Sequence, residues 1–289
     1  MSTEKNQQRL EAMYGQLWSI LFPDGEMFAA LSQSLHPRPS TMLYDLVGAL
    51  GVAAASFVLD AGCGQGQHSC ALARQFGCHV IGLDLVATNL DQARATAKQE
   101  GLSEQVSFLQ GDIRDLPWAS DHFDLIWCRD MLAHVPQVET ALSEFARVLK
   151  SQGAMVCYVT YATALLEPQE ALRLYTPLNI VPTNMSPSFL EHAFTVSGLQ
   201  IAACERIGSE WKEYHQENKG MYTPLLLHLA RLQRNRDHFV QVFGEQSYAL
   251  ALAADTWEFY QFLGKLCPMI YTLRKAEVAS SRTTGPQPS

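Results

Sequence analysis

No two cysteines in this chain are spaced C-x-x-C, no apolar run is long enough to cross a bilayer, and basic residues are in deficit. Each absence excludes a class. The seven cysteines, Cys63, Cys70, Cys78, Cys128, Cys157, Cys204 and Cys267, are odd in number and scattered. That excludes a zinc ribbon or a small disulfide framework and fits reduced, buried thiols; no metal is expected. Lys+Arg 21 against Asp+Glu 29 leaves a formal net charge of -8, which argues against nucleic acid or an anionic membrane as partner and favours a small neutral or cationic ligand. Residues Met1 to Arg9 are polar and lack the apolar core of a secretion signal, and no membrane span is expected, so the expectation is a cytoplasmic protein. Internal repeats are also absent.

What is present is a large core: 289 residues, 47% of them hydrophobic. Leu10, Met13, Tyr14, Leu17, Trp18 and Leu21 recur at helical spacing, followed by the turn residues Pro23-Asp24-Gly25. A second helical face, Met42, Leu43, Leu46, Val47 and Leu50, closes at Gly51. Together these predict an N-terminal helical cap over 1–55. From Ser56 short apolar strands alternate with helices, the pattern of a parallel sheet covered on both faces, and this core is predicted to run over 56–208. A helical, aromatic insertion is expected over 209–266, a last strand returning to the sheet over 267–279, and a disordered polar tail over 280–289. The fold class predicted is α/β: a seven-stranded, mainly parallel sheet with its last strand antiparallel.

The core opens on Val58-Leu59-Asp60-Ala61-Gly62-Cys63-Gly64-Gln65-Gly66, a strand breaking into a glycine turn of the kind that wraps a cofactor. Asp84 ends the next strand about twenty residues later, placed to accept the two hydroxyls of an adenosine ribose. A dinucleotide and S-adenosylmethionine both fit that much. Three features favour the second. The dinucleotide turn G-x-G-x-x-G wants a glycine where Gln67 stands. Gly111-Asp112-Ile113 follows the third strand and offers a carboxylate to an adenine amino group beside an apolar neighbour. Asp60 puts a carboxylate at the mouth of the turn, suited to an ammonium or sulfonium and repulsive to a pyrophosphate.

In these motifs, together with Gly82-Leu83-Asp84-Leu85, Phe123-Asp124-Leu125-Ile126-Trp127 and Ala146-Arg147-Val148-Leu149-Lys150, the stretch from Val58 to Thr160 resembles the class I S-adenosylmethionine-dependent methyltransferases. The likeness is to the small-molecule branch acting in quinone, sterol and glycine-betaine pathways. One departure is Ser151-Gln152-Gly153, where many relatives have Pro-Gly-Gly. The resemblance implies that Asp60, Gly62, Cys63 and Gly64 surround the methionine part and that Asp84 binds the ribose. It implies further that Leu85 and Asn89 lie near the adenosine, that Asp112 and Ile113 fix the adenine, and that Arg129 borders the methionine end.

Methyl transfer from a sulfonium needs alignment, exclusion of water and, for a protonated nucleophile, a base. His134, at the sheet edge after the fourth strand, is the first candidate, and Asp130 has similar standing. The acceptor pocket is expected from the added helices, with Tyr14, Trp18, Tyr161, Tyr175, Trp211, Tyr214, His215, Tyr222 and His228 as candidate linings. The expected partner is a small, partly hydrophobic methyl acceptor; a prenyl diphosphate is disfavoured, because no basic cluster or acidic metal set is in view. The insertion reads equally as a lid or as a homodimer surface. Two other readings stay open: a non-catalytic S-adenosylmethionine-binding module, and an NAD-dependent oxidoreductase with altered glycine spacing.

Overall fold

The computed structural model describes residues 3–22 and 25–276, so Pro23 and Asp24 of the expected turn and the tail at 280–289 lie outside the described residues. The chain divides into two compact units, one up to Arg38 and one from Pro39. The first holds α1 (Thr3–Leu21) and the short α2 (Glu26–Leu31), which pack on each other. On α1 the four-residue spacing of Tyr14 and Trp18 continues to Phe22, stacking the rings in a ladder with centroids 6.1 and 5.0 Å apart. Tyr14 and Trp18 remain about half exposed.

The second unit begins with α3 (Met42–Ala49) and then alternates: β1 (Phe57–Ala61), α4 (Gln67–Phe76), β2 (His79–Asp84), α5 (Ala87–Gln99) and β3 (Val106–Gln110). It continues through β4 (Phe123–Arg129), α6 (Val138–Val148), β5 (Leu149–Ala162), α7 (Pro168–Leu178), α8 (Pro187–Val196) and β6 (Leu199–Arg206). The helices α9 (Glu210–Lys219), α10 (Tyr222–Arg234), α11 (Arg236–Phe243) and α12 (Glu245–Phe262) precede β7 (Leu266–Lys275). The strands form one sheet in the order β3-β2-β1-β4-β5-β7-β6. All neighbours are parallel except that β7 runs antiparallel to both β5 and β6, as the sequence predicts.

Alternation within the strands explains why their sequences are apolar throughout. Val58 of β1 and Leu125 and Trp127 of β4 face a core with α3 and α4, whereas Leu59, Ile126 and Cys128 face a second core with α6 and α8. Both faces of the central strands β1 and β4 are covered, so both residue parities there are mainly apolar. On α6 the spacing of Val138, Ala141, Leu142, Phe145 and Val148 buries one whole stripe against the sheet. The cap predicted over 1–55 is divided: Leu43 and Val47 of α3 are fully buried on the sheet, so this helix belongs to the core unit. β5 also starts earlier than its apolar run, because Leu149 already pairs with Phe123 across an irregularity in register. β7 likewise begins at Leu266, paired with Ala162. Among the described residues no helix is long and apolar enough to cross a membrane.

The strand order reverses between β1 and β4, and the loops leaving their carboxyl ends, from Gly62 and from Asp130, border the crevice where open α/β sheets bind ligands.

Candidate active site

The loop after β1 folds back over the end of β2. The amides of Gly62 and Cys63 both donate to the Leu83 carbonyl, at 2.8 and 3.0 Å. Gly62 takes φ +76, and a Cβ there would stand 2.5 Å from Met131 Cγ, so only glycine fits. Asp84 closes the arrangement: its carboxylate accepts from the Gly64 amide at 2.8 Å, the Val86 amide at 2.9 Å and Asn89 Nδ2 at 3.4 Å. Asn89 therefore acts by holding Asp84. Beside them lies a cleft of about 180 Å³ lined by Gly62, Asp84, Leu85, Asp112, Ile113 and His134, among others.

Asp112 is less free than the sequence suggests. Arg114 wraps it, with Nε at 3.0 Å from both carboxylate oxygens and Nη2 at 2.6 Å, and these bonds hold the Asp112 carboxyl below its usual range. Arg114 lines the cleft and also reaches Gln137 at 3.2 Å. It was not among the predicted residues, although its position two after Asp112 is a spacing at which a loop arginine can fold back on a carboxylate.

Asp60 and Cys63 are buried beneath the turn rather than lining the cleft. Asp60 is 2% exposed, accepts Ser69 Oγ at 2.5 Å, and is pushed up to about 7 by burial. Cys63 packs its sulfur against the Gly82 backbone, and burial raises its thiol. Any contact it makes with a ligand is through its backbone.

His134 ends a single 3-10 turn, Leu132–His134, whose carbonyls are pinned from the other side. Asn184 donates to Leu132 O at 2.7 Å and Val135 O at 2.8 Å, and the Val181 amide donates to Ala133 O at 2.8 Å. Asn184 is 2% exposed and carries no sequence signal, because its partners are some fifty residues away. The His134 ring stands between the cofactor cleft and a second, mainly apolar chamber of about 290 Å³, bounded by Asp130, Val159, Thr160, Ile180 and Trp257 as well as His134. Asp130 takes the left-handed conformation, φ +54, uncommon for a residue with a side chain. Half of its side chain is exposed, yet the surrounding protein desolvates it and pushes it up to about 6 against the pull of Arg129 and Lys212.

Past Asp130 a polar recess of about 230 Å³ collects Arg129, Trp211, Lys212, His215, Tyr222 and Glu258. Arg129 is strongly positioned. Its Nη1 meets His68 Nε2, and its guanidinium lies 5.4 and 5.8 Å from the ring centres of Tyr158 and Trp211. Arginine can only donate, so His68 Nε2 accepts, and its Nδ1 hydrogen points to Tyr44 Oη at 2.7 Å. Burial first, and Arg129 second, lower the His68 pKa to about 4, which keeps this ring neutral.

Of the predicted acceptor linings, Trp211, His215 and Tyr222 come together in this recess. Tyr161 and Tyr175 are instead core residues, 1% and 8% exposed, the first edge-on to Tyr271 and the second packed with Leu174 and Ile180. They alternate away from the chamber that their neighbours line. Tyr214 meets His215 edge-on without bordering either cavity, and His228 lies 4.0 Å from Asp255, away from both. Tyr14 and Trp18 belong to the first unit.

Residues 59–157, β1 through most of β5, match the family described as a methyltransferase domain. The chain carries a methyltransferase domain over those residues. It is 36% identical over 134 residues to methyltransferase GfsG of Streptomyces halstedii, covering 46% of this chain and 47% of that protein. Glycine/sarcosine/dimethylglycine N-methyltransferase of Actinopolyspora halophila is 28% identical over 170 residues, 59% of this chain and 30% of that one. The matched region thus spans half or less of these relatives' length. Among solved structures, the [4+2]-cyclase SpnF superposes with TM-score 0.66 at 21% identity, over 92% of this chain and 96% of that one, a likeness of fold.

The methyltransferase domain fits the adenosyl cofactor that its class implies. Asp84 lines the cleft with its carboxylate held by three donors, Leu85 and Ile113 offer apolar surface, and Gly64, at φ +53, has no atom within 4 Å of where a Cβ would stand. That open face lets a ligand approach the backbone closely.

Proposed function

We propose that this chain transfers a methyl group from S-adenosylmethionine to an N, O or activated C atom of a small, partly apolar metabolite. The observation that carries the reading is the shared wall: His134 borders both the cleft built around Asp84 and the apolar chamber beside it. Bound in the cleft, the cofactor supplies an electrophilic methyl group on a sulfonium. Asp84 accepts the ribose hydroxyls, Leu85 and Ile113 flank the adenine with Asp112, and the loop amides from Gly62 to Gly64 face the methionine part. Asp60 acts from beneath that loop. The chamber walls of Ala133, Val159, Leu178 and Ile180 exclude water from the acceptor. His134 and Asp130 are the groups positioned to take a proton from an acceptor that carries one.

We also place the enzyme in the cytoplasm without a nucleic-acid partner, which the scattered cysteines and the net charge of -8 support. Ala254, Trp257 and Glu258 of α12 line the chamber, which supports a covering role for the α9–α12 insertion. Exposed Leu226, Leu227, Val242 and Phe243 on α10 and α11 offer the surface for a homodimer. Light scattering with and without cofactor tests it: a monomer in both states removes the dimer.

Isothermal titration tests the cofactor. S-adenosylmethionine and its demethylated product bind at about one per chain while NAD does not; saturable NAD binding in place of either would overturn the reading.

A further inference from the structure

The hydrogen-bonding groups facing the apolar chamber are unbalanced. His134 Nδ1 stands 3.3 Å from the Asn179 carbonyl oxygen, which can only accept, so Nδ1 carries the hydrogen and in the neutral ring Nε2 is left as an acceptor. Thr160 is 4% exposed, lines the chamber, and its Oγ1 has no hydrogen-bond partner. Asp130 presents a carboxylate whose nearest cationic neighbour, Arg129 Nε, stays at 3.7 Å, beyond hydrogen-bonding distance.

Among the donors nearby, Asn184 spends its amide hydrogens on Leu132 and Val135 and Lys212 pairs with Glu258, while Arg129, in the neighbouring recess, meets His68 through Nη1 and keeps an unbonded Nε 3.7 Å from Asp130. An occupant bearing only acceptor oxygens, such as a carboxylate or phosphate, could take the Thr160 hydroxyl hydrogen but would face the Asp130 carboxylate and His134 Nε2 as acceptors. One that brings N–H or O–H hydrogens would satisfy Thr160, His134 and Asp130 together. Charge separates these two: the Asp130 carboxylate, half exposed and with Arg129 no nearer than 3.7 Å, gains more from a cation than from a hydroxyl.

We propose that the chamber selects an amine, its nitrogen held at Asp130 and Thr160 and its apolar body lying along Val159, Leu178 and Ile180. This rests on the chamber being the acceptor site of the proposed methyltransferase. Asp130, in the left-handed conformation, borders both the chamber and the recess of Arg129, and its amide, donating to Tyr158 O at 3.0 Å, anchors the turn.

Three probes of one chain length test the end-group: n-hexylamine, hexan-1-ol and hexanoate, titrated into the full chain saturated with S-adenosylhomocysteine. Hexylamine is expected to bind at least about tenfold more tightly than hexanol, and hexanoate weakest of all. D130N keeps a residue type that tolerates the left-handed region, and it should erase the amine preference, weakening hexylamine far more than hexanol, while leaving S-adenosylhomocysteine binding unchanged. The preference should also be larger at pH 8 than at pH 5, because Asp130 ionises between them; Arg129, Lys212, Glu258, His134 and Tyr158 also face it and are the other groups whose charge bears on the profile. Hexanoate or hexanol binding as well as hexylamine, no hexylamine binding, or an ordering unmoved by D130N would overturn the inference alone. Failure of S-adenosylhomocysteine to bind overturns the cofactor reading and this inference with it.

Discussion

The Gly64 amide donates to the Asp84 carboxylate across 2.8 Å, so the loop leaving β1 is shaped by the residue proposed to receive the cofactor's ribose. Binding and loop geometry are coupled through one side chain. D84N sets an NH2 group against one of three donors, and it should weaken S-adenosylhomocysteine binding by about 10–100-fold, roughly the loss of one or two charge-assisted hydrogen bonds. Calorimetry reads the affinity and circular dichroism confirms the fold; affinity within twofold of wild type would count against the assignment.

Gly62 has no room for a side chain. With φ +76 and Met131 Cγ 2.5 Å from its missing Cβ, G62A should cost about 1–3 kcal/mol in urea unfolding. M131A relieves the clash but not the backbone strain. The double variant should therefore recover part of the loss, with a coupling of about 1 kcal/mol; strict additivity would show that the contact does not matter.

Asn184 holds the turn that carries His134. N184L keeps the branched shape but strands the Val135 carbonyl and leaves Leu132 O only the 3.3 Å bond from the Val135 amide, at an expected cost of about 1–3 kcal/mol. Hydrogen exchange at the amides of 132–135 should quicken more than at β4. Unchanged exchange there would mean that the α7–α8 loop is not what orders the turn.

The glycine turn and Asp84 were legible in the sequence because both follow from chain-local rules: a strand end, a ligand-facing loop that needs positive φ, and a fixed distance to the next strand end. The strands and α6 were legible for the same reason, through periods of two and 3.6. Asn184 and Arg114 were not, since what matters about them is a partner brought close by the fold or a side chain turned back on its neighbour. Tyr161 and Tyr175 show the converse. Their type suggested a ligand surface, but residue parity on β5 and packing on α7 sent them into the core.

Buried Asp60 makes stability depend on pH. Its carboxyl ionises near 4 in the unfolded chain and near 7 in the folded one, so the native state binds the extra proton between them. Its contribution is greatest below pH 4 and is lost as pH rises through that window. His68, held neutral down to about 4, works oppositely below its unfolded value, so the difference between D60N and wild type is the clean reading. D60N should gain stability relative to wild type from pH 5 to pH 8, by a few kcal/mol at most. A flat difference across that range would place Asp60 outside the buried site.

The central claim is that the methyl group leaves the cleft of Asp84 for a small molecule in the chamber beyond His134. Its most direct test is incubation of the chain with methyl-labelled S-adenosylmethionine and a metabolite extract, followed by separation of small molecules from protein. Label should appear in a new low-molecular-weight product and vanish with D84N. Tight cofactor binding with all label retained on the donor would contradict it, and would leave the domain a binding module rather than an enzyme.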